Sequence, residues 1–557
     1  MSSREQPVVP RASLLGLPFE LREQIYHEYF TVNGGYVYDT DSDKLIQANN
    51  LSIELSLRYA CRSIAWETRQ YPFSLNTITF STLYRQDWRK QAASVDYIAR
   101  HYVTFQHAML IRLKRLLTSE MYENSDPRYS QYLPVIKKDI ARSVALSDRA
   151  PDVPWDQYAF NALRGAREGG CIKSMHMSPT TMRVCPTDRT VFFSRAADYL
   201  LRQVADKHTE EFSHAIEEIL PGWTDSHSVA EFFDLGFDPW AIPSVAEVKG
   251  KWEKLQLSFL WESLENWYQM PWKVDGYTGP EYRYKRKYRF SAASVAVRLL
   301  GHLSQQQRLT VSKIVLNEDR YAIGNPECHI LGLIPYFQEN PKLYIEHRVG
   351  LWRNIVPISD SLTAQDISVE DQGDIRAGRS LPSIHQIYSS WPARVITNII
   401  MHTSQALKEG LPPKSYSLTF DGDPDPNHST EFFSTIMKPR IAWLTANTDC
   451  VAQGLLLPPE HFNYPFNTRM SIEGLHPVEE EATLLRCNFS LQQPWNYKEI
   501  VDDHKALRCG SLETFMGSHY EPSIIDVSTD VIDWVKIKKE SFHREEVPNA
   551  VGGESQT

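Results

Sequence analysis

The sequence predicts a mixed α/β (α+β) fold, in which an N-terminal helical module with an inserted hairpin leads into a large, irregular α/β module. Three observations carry this. Leu21, Ile25 and Tyr29 recur every four residues behind Pro18, as on a helix with one apolar face. Residues 34–46 read as two short strands around an acidic turn. From about residue 290 onward, helical and strand-like stretches alternate, an order that sets strands parallel and joined by crossovers.

Taken in order, Pro18 suits a first helical turn, where its missing N–H has no helical partner, and Glu20 and Glu23 meet the positive end of the helix dipole. Gly34-Gly35-Tyr36-Val37-Tyr38, the Asp39, Asp41 and Asp43 turn, and Lys44-Leu45-Ile46 make the hairpin. Residues 51–80 supply a second helix and a strand at 76–80. Residues 92–118 predict a long helix, with Val95, Ile98, Tyr102, Phe105, Met109, Leu113 and Leu116 at helical spacing, packed beneath the N-terminal module. Six prolines break residues 119–195 into loops around short helices, and a helix over 194–220 ends at Pro221-Gly222.

Farther on, the pattern predicts a helix over 291–303, a strand at 313–316, a helix opening at Pro326-Glu327 and a strand at 343–346. A second cycle follows, with a helix over 383–408, a strand at 415–420 and a helix over 430–445. The spacing is leucine-rich-repeat-like, but no L-x-x-L-x-L consensus recurs at fixed period, so the module is expected to be irregular. The acidic, weakly apolar stretch 359–381 reads as a flexible insertion. The expected units are 12–118, 119–230 and 231–546, with disordered termini at 1–11 and 547–557.

At 557 residues, 42% hydrophobic and 11% aromatic, the chain belongs with folded proteins large enough for two or three units. No apolar run approaches the roughly 18 residues of a membrane span, and no secretory signal opens the chain, so an intracellular protein, cytoplasmic or nuclear, with no membrane partner is expected. Seven cysteines without C-x-x-C pairs suit a reducing compartment. The net charge of −10 gives no global attraction to nucleic acid, which is not an expected partner.

Few constellations point to chemistry. Asp421-Gly422-Asp423-Pro424-Asp425-Pro426-Asn427 spaces oxygen ligands as a calcium loop does, but Pro426 and Phe432 replace the required glycine and glutamate, leaving a strand-to-helix turn. Cys171, Cys185, His208 and His214 lack the paired spacing of zinc sites. No H-E-x-x-H, G-x-S-x-G, P-loop or dinucleotide fingerprint appears. Cys328-His329 reads as a helix N-terminal region with one buried residue rather than a dyad. No metal or cofactor is implied. The sharpest charge feature is the run 282–290, whose alternation puts Tyr282, Tyr284, Tyr288 and Phe290 on one strand face and Arg283, Lys285, Lys287 and Arg289 on the other. It reads as a solvated or carboxylate-paired strand face, or as a basic docking or import strand for an acidic partner, with single-stranded nucleic acid the least favoured occupant.

The two N-terminal blocks together resemble the fungal F-box-like proteins, including the group named for two Glu-x-Arg motifs. Here the motifs are Glu20-Leu21-Arg22 and Glu67-Thr68-Arg69, with Cys61-Arg62 ahead of the second and strand 76–80 behind it. Residues 332–336, 346–352 and 417–422 look like the C-terminal part of such proteins, which carries no assigned catalytic residues. The resemblance implies docking on a Skp-family adaptor of a cullin-RING (SCF-type) ubiquitin ligase, through Leu17, Pro18, Leu21 and Ile25 with Leu57, Cys61 and Ile64 completing the patch. The rest of the chain would hold an unknown protein substrate. The insertion between Phe30 and Leu51 departs from an ordinary F-box. The readings are therefore a non-enzymatic adaptor, an interaction scaffold that kept the fold without the adaptor contact, and an enzyme of unrecognised type.

Overall fold

The structure is a computed structural model. It describes residues 13–547 except 124–125, 127, 131, 150–190, 258–260, 262–263, 271–272, 274–275, 360–363, 373–385, 457–484, 491–496, 508–523 and 528. Cys171, Cys185 and the expected disordered ends 1–11 and 547–557 lie outside the described residues, except Val547, whose N–H donates to the Glu281 carbonyl (2.8 Å).

A short helical unit opens the chain. Helix α1 (Phe19–Phe30) is followed by the hairpin β1 (Tyr36–Asp39) and β2 (Lys44–Gln47), then α2 (Arg62–Glu67), α3 (Tyr71–Leu75) and β3 (Thr77–Ser81). Tyr26, Phe30, Ile64 and Tyr71 form a small core of their own, with Leu14, Leu55, Leu57, Cys61 and Leu75 packed on it. Asn76, 2% exposed, ties this unit to the hairpin: its Nδ2 donates to the Phe30 carbonyl (2.7 Å), the Pro72 carbonyl (2.9 Å) and the Tyr36 hydroxyl (3.2 Å), and its Oδ1 accepts from Val32 N–H (2.8 Å). Asn76→Leu keeps the branched shape but strands these buried groups, so urea denaturation should show a loss on the order of 3 kcal/mol.

The hairpin is part of the main sheet. β1 pairs in parallel with β3, and Gly35, at φ +70°, enters β1 so close to β3 that a Cβ would lie 2.3 Å from the Thr77 carbonyl oxygen. Its acidic turn is anchored from outside, because Arg298 forks onto the Asp43 carboxylate (2.6 and 2.8 Å).

After helix α4 (Arg89–Arg112) the chain builds a helical layer. The main packing partners of α4 are helix α5 (Val191–Lys207) and the helix Val245–Lys254, so it does not lie chiefly beneath the N-terminal helices as expected. The proline-rich stretch also holds more helix than predicted, with Leu133–Arg149 helical and Pro134 tolerated in its first turn. The predicted single helix over 194–220 is two, α5 and Thr209–Ile219, broken at His208.

The second half follows the expected alternation. β4 (Tyr268–Gln269) and β5 (Tyr282–Arg286) precede helix α6 (Ala292–His302), whose N-cap Ser291 accepts from Ser294 N–H (3.0 Å). Next come β6 (Lys313–Glu318), a 3₁₀ stretch Pro326–Leu333, β7 (Tyr344–Gly350), β8 (Gln386–Tyr388), α7 (Ser390–Lys408), β9 (Tyr416–Asp421), α8 (Pro426–Ala452) and β10 (Leu485–Cys487). The C-terminal part adds β11 (Ile524–Asp526), α9 (Trp534–Lys539) and β12 (Phe542–Glu546). Residues 359–381, expected to be a flexible insertion, contain the helix Ala364–Asp371; Ala364 and Ile367 are buried, and the Asp371 carboxylate accepts from Tyr284 (2.6 Å).

The central sheet has seven strands in the order β10-β9-β7-β6-β3-β1-β2. All neighbours are parallel except the β1–β2 hairpin. Six parallel strands thus lie side by side in chain order. One core cluster runs from Tyr38 to Ile537. The expected boundaries at 118 and 230 are therefore not breaks, because Thr77–Ser81 pairs with Lys313–Asn317 across them. β12-β5-β4 and β11-β8 form two smaller sheets.

Candidate functional site

Helix α1 carries two neighbouring apolar stripes. Tyr26 and Phe30 are sealed in the small core, whereas Leu21, Ile25 and Tyr29 remain exposed (46%, 41% and 36%). Leu17 and Pro18, at the helix entrance, are exposed too. These are four of the residues that the resemblance places at an adaptor contact: Leu17, Pro18, Leu21 and Ile25. The second group differs. Ile64 is 5% exposed and belongs to the core, with Leu57 and Cys61 half-buried against it. The reason is geometric: Ile64 and Trp66 sit two residues apart, about 200° around α2, so the helix can bury only one of them. It buries Ile64 and leaves Trp66 68% exposed.

Residues the sequence reading missed at this surface are Phe19, Tyr59 and Trp66. Their signal was an excess of large apolar residues over what three short helices can enclose. Of thirteen exposed large hydrophobic residues among those described, nine lie between Leu15 and Trp66, so the apolar excess is concentrated in this unit.

The two Glu-x-Arg motifs are joined to each other. Arg22 of the first donates to Glu67 of the second through Nε (3.0 Å) and Nη2 (2.7 Å), and its Nη1 donates to the Leu17 carbonyl (2.6 Å). Tyr26 donates to the same carboxylate (2.8 Å). These hydrogen bonds hold Glu67 below the usual carboxylate range, while burial and then Glu67 push Tyr26 up to about 12. Arg69 stacks over Trp66, 3.8 Å from the ring centroid. The fork fixes α1 against α2 and thereby sets the angle at which the exposed stripe is presented.

A second surface is the polar face of the central sheet. Alternation turns Ile78, Phe80, Ile314, Leu316, Ile345, Val349, Leu418 and Phe420 into the core. On the other face, Thr79, Glu346 and the buried Val315 and Ser417 form one cross-strand row, and the more open Ser81, Asn317, Arg348, Thr419 and Arg486 the next. Glu346 is shared by Lys313 (3.2 Å) and Arg348 (2.7 Å), and Arg348 and Arg486 are exposed.

The basic run 282–290 does not form a continuous exposed strand face. β5 stops at Arg286, so the alternation expected for Arg283, Lys285, Lys287 and Arg289 does not continue. Arg283 donates to Glu545 (3.1 and 2.9 Å), Lys285 to Glu265 (3.1 Å) and Arg289 to the Glu540 carbonyl (2.8 Å). Lys285 and Arg289 are buried.

The Asp421–Asn427 stretch is a turn closed by Asn488, which donates to Asp421 (2.7 Å) and Asp423 (3.2 Å), while Asp425 caps α8 through His428 N–H (3.0 Å). No group of three or more His, Cys, Asp or Glu among the described residues is placed to hold a metal. No helix among them is long and apolar enough to cross a membrane.

Cys328 and His329 are both buried, and neither contacts the other's side chain in a dyad. His329 Nε2 donates to the Gly324 carbonyl (2.7 Å), so Nδ1 is left to accept from the hydroxyls of Ser291 (2.7 Å) and Ser294 (3.0 Å). Glu318 closes the same helix N-terminus, accepting from Ala292 and Ala293 N–H (3.0 Å each), and burial pushes it up to about 7. All of these groups are at most 2% exposed, so the network positions α6 rather than meeting a substrate.

Comparison with protein-family models, with curated proteins and with solved structures finds no match to this chain.

Proposed function

We propose that the chain is a non-enzymatic F-box-like adaptor, an intracellular substrate-recognition subunit of a cullin-RING ubiquitin ligase that docks a Skp-family protein. One observation carries the reading. Helix α1 already buries Tyr26 and Phe30 and still presents Leu21, Ile25 and Tyr29 to solvent, with Leu17 exposed at its entrance, a surplus apolar face that a partner would cover. The link between the two Glu-x-Arg motifs supports it by holding that face rigidly. The hairpin insertion leads away into the central sheet. We read the in-order parallel strands as a leucine-rich-repeat-like arrangement whose polar face holds the substrate.

The scaffold reading is favoured by a different observation, the burial of Ile64 with Leu57 and Cys61 in the unit's own core, which shrinks the implied contact. Affinity purification of the tagged full chain under proteasome inhibition separates the two. Recovery of the Skp-family protein and cullin at near-stoichiometric levels is expected; their absence from a well-expressed, folded bait would leave the scaffold. Deleting the first 90 residues is a poor control, because it removes β1, β2 and β3 from the central sheet.

A further inference from the structure

The basic run has a property that neither docking nor ordinary solvation explains, because its charges converge inward. Arg89, on α4, is 1% exposed, Lys285 9% and Arg289 7%. Lys287, Arg320, Tyr84 and His543 lie half-buried above them. Arg89 Nε donates to the Arg286 carbonyl (2.7 Å) and Nη1 to the Leu264 carbonyl (2.7 Å), with Glu265 at 3.4 Å. Its Nη2 is sealed from solvent and has no hydrogen-bond partner.

The carboxylates are too few. Glu265 is shared by Arg89 and Lys285, Asp319 pairs with Arg320 (3.1 Å), and Glu540 is shared by Arg320 (3.1 Å) and Arg353 (3.5 Å). Five buried or half-buried cations, Arg89, Lys285, Lys287, Arg289 and Arg320, thus face three carboxylates among the described residues, and one of these, Glu540, is also shared with the exposed Arg353. Neighbouring groups register the imbalance. His543 is held down to about 4 by burial and then by Lys287, Arg89, Lys285 and Arg289, and Arg289 itself is lowered to about 10 by burial and then by Arg320. Buried cations in excess of their counter-charges are costly, and a guanidinium with a spare N–H is suited to a phosphate oxygen.

We propose that this cluster is a binding site for a compact phosphate-bearing polyanion, which reaches Arg289 and Arg89 past Lys287 and Arg320. Its compactness follows from the fold. β5 is paired along its whole length by β12 on one edge and by β4 at Arg283 and Tyr284 on the other, which leaves no long free edge for an extended acidic peptide. At the rim, among the described residues, stand Lys287, Arg320 and the exposed Arg353, too few to track a nucleic-acid backbone.

The test uses the full chain and inorganic tripolyphosphate, by isothermal titration and thermal denaturation against sodium chloride at matched ionic strength. Saturable one-to-one binding and a midpoint raised by several degrees at saturation are expected. Lys287→Gln with Arg320→Gln, both at half-buried positions, should weaken binding at least tenfold. Absence of heat and of any shift beyond matched salt in the parent protein would overturn the site, whatever the variant does. So would a folded double variant that binds as tightly as the parent, or a single-stranded oligonucleotide or polyglutamate peptide that binds more tightly than tripolyphosphate and competes with it.

Discussion

Replacing Leu21 and Ile25 together by aspartate is expected to abolish capture of a Skp-family adaptor while leaving the far-ultraviolet circular dichroism and the urea midpoint nearly unchanged. Both side chains are more than two-fifths exposed, on the face of α1 opposite to none of its own packing, so each change should alter stability by no more than about 0.5 kcal/mol. At an apolar interface the same carboxylates must be desolvated without partners, which costs several kcal/mol each by general estimates and should reduce binding more than about a hundredfold. Ile64→Asp is the contrasting control. That residue is sealed with Tyr26, Phe30 and Tyr71, so its replacement should unfold the helical unit and lose binding through the fold. Undiminished capture by the folded Leu21→Asp, Ile25→Asp chain would sink the docking assignment.

The contrast between Leu21 and Ile64 shows what the sequence could convey. The four-residue repeat of Leu21, Ile25 and Tyr29 marks a helix face, and the face exists. Periodicity alone cannot say whether that face meets the chain's own core or a partner, and in α1 the core-facing stripe is the adjacent Tyr26–Phe30 pair. Strand positions at 313–316, 343–346 and 415–420 were legible because buried parallel strands read as short apolar runs between helices. The pairing of β3 with β6 was not, since it joins residues more than two hundred positions apart and leaves no local mark. For the same reason the sequence left open whether the basic run is solvated or carboxylate-paired: its partners, Glu265 and Glu545, lie outside the run, and only the fold brings β12 alongside β5. The Glu-x-Arg motifs were visible as motifs. Their mutual hydrogen bonding, Arg22 to Glu67, required the structure.

Acid is expected to destabilise this protein steeply between pH 6.5 and 4, and the cause lies beneath the central sheet. His329, His347 and His402 are each at most 3% exposed, and burial lowers all three to about 4. His347 Nδ1 accepts from the Tyr416 hydroxyl (2.8 Å), a bond that protonation of Nδ1 would break, and His402 Nε2 has no hydrogen-bond partner to stabilise an added proton. An unfolded histidine titrates near 6.5, so below that pH the unfolded chain takes up protons that the folded chain refuses. The stability these residues contribute is complete above pH 6.5 and is lost as pH falls toward 4. Glu318 works in the opposite sense: raised to about 7 from 4.5, it stabilises the folded chain as pH falls from 7 to 4.5. At pH 5 the three histidines together cost about 6 kcal/mol and Glu318 returns about 2–3, a net loss on the order of 3–4 kcal/mol from these four groups relative to pH 7.5, to which His543, likewise lowered to about 4, adds in the same sense. His402→Leu should therefore be nearly neutral at pH 7.5 and about 2 kcal/mol more stable than the parent at pH 5, because it removes one proton-binding site from the unfolded chain and an unpartnered nitrogen from the folded one. Urea melts of both proteins from pH 8 to 4.5 would show this as an acid limb shallower by one proton. Parallel curves would mean that the imidazole at 402 takes up its proton in the folded state, and the burial account of the acid limb would fail.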